Sequence, residues 1–292
     1  MPRRILMALT VALVLTPSGC TASVPAKPAD SPAQSATAMP SSTLSARPTV
    51  SSSPLIYSCV TSNFSGRCGP YNTSVVTGAS GAPYVDQNVW GPIRGQTQTL
   101  SANSTGDWQV VSQVPAGNTA VTAFPNTGAP FGEAPLSSFS TIVASFSETM
   151  PHTAGTSAWA TYDLWLNNWS YEVMIQHDFV GNGPCEFVEV ANFGGSKRVP
   201  PRLWGLCVYG SVLIWKLAAP GSAVGTSKTI NESSGSVDIK SMIAWLVTHG
   251  YMTADPTITN LSYGWEICST SGVKQTFRLS DYSLSATPAE SE

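Results

Sequence analysis

Short runs with the composition of β-strands recur along the chain, and this recurrence restricts it to a small set of folds. Each run is rich in β-branched and aromatic residues, and clusters of Gly, Pro, Asn and Ser separate the runs. Many short strands with close turns and almost no helix predict two packed antiparallel sheets, either an immunoglobulin-like sandwich or a larger jelly roll. The number of runs favours an all-β, two-sheet antiparallel β-jelly-roll sandwich. The runs are 107–114, 118–124, 140–149, 160–166, 170–179, 185–191, 203–210, 211–218, 260–268 and 274–284.

One segment, 237–250, has a helical pattern instead. Ser236 is the expected N-cap and Gly250 the expected end. We predict one amphipathic helix, packed against the outer face of a sheet. The apolar residues that recur at helical spacing are Ile239, Met242, Ile243, Leu246 and Val247.

The N-terminal segments predict export. Residues 1–20 contain two arginines and an apolar run that is too short to span a bilayer, as in a signal peptide. The sequence PSGC resembles a bacterial lipobox and predicts a lipidated Cys20, although Pro17 stands where such motifs carry an aliphatic residue. Ordinary cleavage a few residues later, which would release a free secreted protein, stays open. Residues 21–54 are rich in Ser, Pro and Ala and predict a disordered linker.

The remaining chain has the length of one domain, 55–286, followed by a short tail, 287–292. A formal net charge of −3 and few basic residues give no electrostatic surface for nucleic acid. Charged residues are only 11% of the chain, whereas Trp and Tyr number nine each, so an extended polar partner is expected to be uncharged. We expect a monomer that contacts a membrane only through the lipid anchor.

The cysteines predict two disulfides in an oxidising compartment. Cys59 and Cys68 close a short loop. Cys185 and Cys207 flank a segment centred on paired glycines, so a hairpin would set them opposite each other. Cys268 is left outside both pairs, where burial would protect it.

Three carboxylates occupy interior positions of three different predicted strands. Alternate side chains of a strand share a face, so each acid has identifiable companions. The sets that share a face are Glu172 with Met174 and Gln176, Asp163 with Trp165, and Glu266 with Gly264 and Cys268; the opposite faces carry Val173, Ile175 and His177, then Tyr162 and Leu164, then Tyr263, Trp265 and Ile267.

A single carboxylate on a strand is commonly a solvated residue or half of an ion pair. Three together also suit glycoside hydrolysis. Two carboxyl groups about 5–5.5 Å apart would act as nucleophile and acid/base of a retaining mechanism. A third nearby carboxyl would hold the nucleophile and split the pKa values of the group through like-charge repulsion.

Six motifs occur in an order and at spacings that resemble the family 12 glycoside hydrolases, over residues 57–285. This resemblance implies a β-jelly roll whose concave sheet forms an open cleft for β-1,4-linked glucans, with net retention of anomeric configuration. The motifs are NVWG (88–91), AFPN (123–126), TYDLWL (161–166), YEVMI (171–175), YG (209–210) and GWEI (264–267).

Carried over by motif, the resemblance implies that Glu172 is the nucleophile, Glu266 the acid/base and Asp163 the carboxyl that supports the nucleophile. It also implies substrate-binding positions in the cleft. These are Trp90 as a sugar-stacking platform, Asn88 and Asn126 as hydrogen-bond partners of the glucan, Met174 under the ring next to the cleaved bond, and Gln176 beside it.

Two positions depart from the family pattern. Gln176 and Cys268 stand where the family usually carries aromatic residues, and both are predicted to face the cleft. The loss of two flat surfaces near the reacting sugar would cost about 1 kcal/mol or more each in substrate positioning. These departures favour a shifted substrate, a slow enzyme or a protein that binds glycan without cutting it.

The sequence therefore predicts a secreted, lipid-anchored retaining β-1,4-glucan endohydrolase of the cellulase type. Its expected partner is a β-glucan: cellulose, mixed-linkage glucan or xyloglucan. No cofactor is expected, and the three histidines lack metal-ligand spacing, so no metal site is predicted. The alternative is a glycan-binding surface lipoprotein with a weak or inactive hydrolase-like cleft. A structural envelope protein with an immunoglobulin-like sandwich would require the motif series to be accidental.

Overall fold

A computed structural model describes residues 57–71, 75–181, 183 and 185–290. The predicted signal peptide, the lipidation site at Cys20 and the linker lie outside the described residues. Two β-sheets pack face to face, as the strand pattern predicts, and the two-sheet jelly roll is confirmed. No helix among the described residues is long and apolar enough to cross a membrane.

The smaller sheet contains seven strands in the described part of the chain. They are β1 (Cys59–Thr61), β3 (Val76–Thr77), β5 (Thr97–Ser104), β6 (Asp107–Gln113), β8 (Phe139–Thr149), β14 (Ser234–Asp238) and β16 (Gln275–Pro288). Their order is β1-β5-β6-β16-β8-β14, with β3 parallel to the end of β16.

The larger sheet contains nine of the described strands. They are β2 (Arg67–Cys68), β4 (Tyr84–Asp86), β7 (Asn126–Pro135), β9 (Thr156–Leu166), β10 (Tyr171–Val180), β11 (Glu189–Phe193), β12 (Arg202–Tyr209), β13 (Val212–Leu217) and β15 (Thr257–Thr270). Their order is β11-β12-β13-β10-β9-β15-β7-β4-β2. The pairing of β10 with β13 is parallel, and the other pairings in this sheet are antiparallel. A short 3-10 helix (Leu136–Ser138) joins β7 to β8.

The inward side chains of both sheets form one apolar core. Large rings fill its centre, and burial of each such side chain stabilises the fold by about 1.5–3 kcal/mol. Edge-on contacts join them, as between Trp108 and Trp265, whose ring centroids lie 4.9 Å apart. The largest fully buried rings are Trp108, Trp215, Trp265, Tyr162, Tyr263 and Tyr282.

Helix α1 spans Ile239–Thr248, close to the predicted segment. Its N-cap is Asp238 and not the predicted Ser236, because the Asp238 carboxylate accepts a hydrogen bond from the Ser241 backbone N–H at 3.1 Å. The end is as predicted. Gly250 has a φ of +78°, which glycine adopts without a steric penalty, and it terminates the helix.

The position of α1 differs from the expected outer face of a sheet. Trp215 of β13 points into the sandwich, and Trp245 of α1 packs against it with ring centroids 5.1 Å apart. The apolar residues of the helix are part of the same core as both sheets. The helix therefore extends the sandwich interior along the larger sheet.

Both predicted disulfides form in the structure. The Cα atoms are 5.9 Å apart in the Cys59–Cys68 pair and 6.2 Å apart in the Cys185–Cys207 pair. Cys268 lies outside both pairs and is fully buried, as expected.

The predicted strand at 118–124 is replaced by irregular chain that makes single bridges to its neighbours. Ala123 bridges to Val89 on one side and to Ile267 on the other. The segment therefore continues the β4-β7-β15 region of the larger sheet without forming a ladder of its own.

Candidate active site

The alternation of side chains on β9, β10 and β15 is as the sequence predicts. The side chains next to the acids in sequence are fully buried in the core; they are Val173 and Ile175 of β10, Tyr162 and Leu164 of β9, and Tyr263 and Trp265 of β15. The acids must therefore face the other side of the larger sheet. Since β9 lies between β10 and β15, the structure brings Glu172, Asp163 and Glu266 to one face of three adjacent strands.

Strand register puts Asp163 between the two glutamates. Glu172 pairs with Trp165 of β9, and Glu266 pairs with Trp159 of the same strand. These two positions are six residues apart, about 20 Å on a flat sheet, so the glutamates stand on opposite sides of a band that runs across the strands. Concave curvature of the sheet would turn this band into a groove and bring the two side chains towards each other.

The band between the glutamates has a floor of mainly small or polar side chains. Registered pairs join six neighbouring strands along it, from β12 to β7. We call this set the floor row; its members are Gly205, Lys216, Gln176, Thr161, Gly264 and Asn126.

The surroundings of Asp163 oppose its ionisation. Its exposed fraction is 8%, and the Trp165 indole N–H donates to its Oδ2 at 3.2 Å. Its Oδ1 has no hydrogen-bond partner among the described residues. Burial raises the pKa of Asp163 well above its usual range, and the negative charges of Glu172 and Glu266 raise it further. The effect of both glutamates on one carboxyl shows that the three form one electrostatic group.

The two glutamates have different surroundings. Glu172 is half-buried, and burial raises its pKa to about 7. Glu266 is 9% exposed, and the indole N–H of Trp159 donates a hydrogen bond to its Oε2. Motif reasoning missed Trp159, although alternation along β9 from Asp163 would have placed it on the same face.

The predicted platform and amides lie towards the β4 end of the sheet. Trp90 is 45% exposed, and its backbone N–H donates to the Thr122 carbonyl at 3.1 Å. Asn88 has a φ of +39° and is held by its N–H to the Asp86 carboxylate. Asn126 is buried, and its amide donates to the Phe124 carbonyl at 2.7 Å.

Met174 and Gln176 face the same side as Glu172, as predicted. Their exposed fractions are 8% and 2%, and the Gln176 amide contacts the Met174 sulfur at 3.5 Å. Gln176 Oε1 is a buried acceptor without a partner in the described part of the chain. Cys268 packs with Trp159, Val121 and Phe179. The two departures from the family pattern are thus buried side chains and offer no flat exposed surface.

The β12 end of the floor row is covered. A Cβ on Gly205 would lie 2.3 Å from the Phe187 ring, so the ring rests directly on this glycine. Phe187 belongs to a small apolar cluster with Cys185, Cys207 and Ile214, and Ile214 pairs with Met174 on the groove face. The Cys185–Cys207 disulfide therefore fixes a segment over one end of the floor row, which the sequence did not reveal.

His177 faces away from the acids, as predicted. It stacks on Phe146 with ring centroids 3.7 Å apart, and its Nε2 lies 3.1 Å from the Tyr263 hydroxyl. Burial lowers the pKa of His177 to about 3, so it is neutral. It belongs to the core.

Solved structures provide the comparison for this arrangement. One similar structure is the xyloglucanase domain of NopAA, a type three effector from Sinorhizobium fredii, solved in complex with cellobiose. It is 22% identical in sequence and superposes with a TM-score of 0.60. The match covers 80% of this chain and 100% of that domain. The family 12 xyloglucanase from Bacillus licheniformis is 19% identical with a TM-score of 0.61, and the match covers 78% of this chain and 100% of that one. An endoglucanase from Rhodothermus marinus is 17% identical with a TM-score of 0.57, and the match covers 79% of this chain and 100% of that one.

These similarities establish that the chain has the fold of the family 12 glycoside hydrolases, as the motif series predicts. No protein-family model and no curated protein sequence matches the chain. At identities of 17–22% the shared feature is the fold, and the activity must be argued from the site.

Proposed function

We propose that this protein is an exported, retaining β-1,4-glucan endohydrolase that uses Glu172 as nucleophile and Glu266 as acid/base. The observation that best supports the proposal is geometric: Asp163, whose pKa is raised by burial, lies between two glutamates on one face of a sheet, in a fold shared with xyloglucanases and endoglucanases. A carboxyl group on either side of a groove across the strands is the arrangement that glycosidic cleavage needs.

In the first step, Glu266 donates its proton to the glycosidic oxygen while Glu172 attacks the anomeric carbon. The bond to the leaving sugar breaks, and a glycosyl ester forms on Glu172. In the second step, Glu266 removes a proton from water, which attacks the anomeric carbon and releases Glu172 as carboxylate. Two inversions give net retention, and no cofactor is required.

The surroundings of the acids support these roles. Asp163 keeps its proton because burial and two negative neighbours oppose its ionisation. As a neutral acid it can donate an O–H hydrogen bond to the Glu172 carboxylate, which favours the charged, nucleophilic form. Asp163 thus acts as a positioning residue. Trp159 orients Glu266 through its indole N–H.

Binding of the glucan is assigned to the remaining predicted residues. Trp90 exposes an indole face on which a sugar ring can stack. Asn88, Asn126 and Gln176 offer hydrogen-bonding groups, and Met174 an apolar contact under the ring. The unpartnered acceptor on Gln176 suits a hydroxyl-rich ligand, because a buried polar atom without a partner is costly.

The proposed location is based on the N-terminal sequence and on the disulfides. We propose export by the signal peptide, anchoring through Cys20 and display of a monomeric domain on the linker. Two disulfides suit an oxidising compartment. In that location the domain would encounter a polymer such as cellulose, mixed-linkage glucan or xyloglucan outside the cell.

A second candidate is a surface lipoprotein that binds glycan without cutting it. The burial of Gln176 and Cys268 at positions that carry aromatic residues in the family favours it, because two stacking surfaces near the reacting sugar are missing. The same fold and exposed Trp90 would serve binding alone.

Release of reducing ends from carboxymethylcellulose, mixed-linkage β-glucan and xyloglucan separates the two candidates. We expect release by the full chain, loss in Glu172→Gln and no loss in Glu290→Gln, which removes an exposed carboxylate beyond the last strand. If the Glu172→Gln variant releases reducing ends as fast as the unaltered protein, the mechanism is contradicted. Binding without release by the unaltered protein selects the second candidate.

A further inference from the structure

The turn between β9 and β10 holds an exposed tryptophan in an unfavourable backbone conformation. Trp169 is 55% exposed, and its φ is +68°. Asn167 and Asn168 before it also have positive φ, at 50° each. Left-handed backbone is uncommon for non-glycine residues and is an outlier for a bulky aromatic. Three such residues in succession therefore need a structural cause.

Neighbouring segments hold the turn in place. The Asn167 side chain accepts from the Thr257 backbone N–H and donates to the Thr253 hydroxyl, each at 2.8 Å. The Asn168 backbone N–H donates to the Glu133 carboxylate at 3.1 Å. Such conformations persist where the surroundings over-determine them, and they cluster at ligand sites. In this turn the strained conformation holds the indole of Trp169 in a fixed position that faces solvent.

That indole extends the groove on the Glu172 side. The rings of Trp169 and Trp165 have centroids 5.3 Å apart at an interplanar angle of 48°. Trp165 pairs with Glu172 in the sheet, and its N–H donates to Asp163. The two rings thus form a continuous aromatic wall that begins at the acid group and runs outward to the rim. We call Trp165 and Trp169 the rim pair.

The rim pair lies off the path of a glucan main chain. In the proposed function the main chain crosses the strands along the floor row, between the glutamates. Trp169 belongs to the turn beyond Glu172, outside that band. A sugar that reaches it must branch away from the main chain. Gln176 and Cys268 stand where the family usually carries aromatic rings, and both are buried. Exposed aromatic surface on the Glu172 side is instead provided by the indole of Trp169, which packs against Trp165.

We propose that the rim pair is a binding site for a branch sugar, and that the preferred substrate is a β-1,4-glucan that carries sugar side chains. This inference rests on the proposed function for the path of the main chain. Indole faces stack on the apolar face of a sugar ring, and a fixed ring loses little conformational freedom on binding.

The test compares a branched xyloglucan oligosaccharide with a linear cello-oligosaccharide of the same main-chain length. For Trp169→Ala we expect kcat/KM on the branched substrate to fall about 10-fold, as for the loss of one stacking contact, with the linear substrate unchanged. Trp169→Tyr should retain most of the preference. Val224→Ala, which trims an exposed side chain in another loop, is the matched control.

A second variant separates binding from folding. Trp169→Gly removes the ring and accepts the left-handed backbone, so it should stay folded and still lose the preference for branches. An equal fall on both substrates, or no change on either, overturns the proposal.

If the protein cleaves nothing, the proposed hydrolytic function fails, and the rim pair is tested by affinity electrophoresis in xyloglucan and in unbranched β-glucan. A selective loss of xyloglucan binding in Trp169→Ala upholds the branch site. Unchanged relative binding overturns it.

Discussion

Trp159 of β9 donates its indole N–H to Oε2 of Glu266 on the adjacent strand β15. This hydrogen bond holds the Glu266 carboxyl on the opposite side of the floor row from Glu172. A general acid must be held in position to protonate the leaving oxygen, so Trp159 is expected to act through Glu266 and not on the sugar itself.

Trp159→Phe keeps a ring and removes the donor. For substrates with poor leaving groups we expect kcat/KM to fall about 10- to 100-fold, because general acid catalysis contributes about 10²–10⁴-fold and the variant loses part of it. Aryl glycosides whose leaving group needs no protonation should keep their kcat/KM. Steady-state kinetics on the two substrate types measures this. Equal losses on both would mean that Trp159 supports the fold or binds the sugar.

Asp163 is expected to act as a neutral hydrogen-bond donor. Asp163→Asn retains a donor without a charge, so we expect it to keep most activity, whereas Asp163→Ala should lose about 10²-fold in kcat. The pH profile gives a second readout. Glu172 must be ionised to attack, and burial raises its pKa to about 7, so kcat/KM should fall below an apparent pKa near 7 in wild type and in Asp163→Asn. An Asn variant as inactive as the Ala variant would show that an ionised Asp163 is required.

Glu148 in the core predicts a pH-dependent stability. Burial, and after it the nearby Asp178, raises the pKa of Glu148 from 4.5 to about 9, and its Oε2 accepts from the Trp265 indole at 3.2 Å. The folded state therefore binds this proton more tightly than the unfolded state. The contribution is fully present below pH 4.5 and is lost as pH rises towards about 9.

Glu148→Gln imitates the protonated carboxyl and should flatten this decline. Urea unfolding between pH 5 and pH 9 measures it: we expect the variant to have a larger free energy of unfolding than wild type at pH 8. Thermal unfolding at pH 8 should show the corresponding Tm gain of about 2–4 °C per kcal/mol. Asp281→Asn, at an exposed position of β16, is the control. Identical pH slopes in wild type and Glu148→Gln would contradict the assignment.

Phe187 predicts a short groove on the β12 side. The distance from β10 to β12 is two strand spacings, about 10 Å, so only a short stretch of glucan fits between Glu172 and the covered end. Phe187→Ala should let longer chains pass and shift the products of a linear oligosaccharide towards central cleavage. Val188→Ala, an exposed neighbour, should leave the pattern unchanged. An unaltered product pattern in a folded Phe187→Ala variant would exclude a closed end.

The sequence predicted the three strands that carry the acids because their pattern is strong. Buried residues such as Val173 and Ile175 alternate with the polar face, and a shift of one residue would expose them. The disulfide pairings were also readable, since each links cysteines that a local turn or hairpin brings together.

Other features depend on contacts between distant segments. Strand β7 reads NTGAPFGEAP, with glycines and prolines that disfavour a strand, yet ladders to β4 and β15 hold it on both sides. The turn that carries Trp169 is held by the Glu133 carboxylate, which accepts from Asn168, and by the Thr257 N–H, which donates to Asn167. The cover over Gly205 depends on the contact of Phe187 with it. Neither has a local sequence signature.

The assignment of nucleophile and acid/base is tested most directly by azide products. Glu172→Gly and Glu266→Gly are each incubated with azide and an aryl β-cellotrioside that has a good leaving group, and NMR reads the anomeric configuration of the product. Glu172→Gly should give the α-glycosyl azide by one displacement at the vacated nucleophile position. Glu266→Gly should give the β-glycosyl azide, because azide then opens the ester on Glu172. The reverse configurations, or no azide product from either variant when wild type is active, would contradict the roles assigned to the two glutamates.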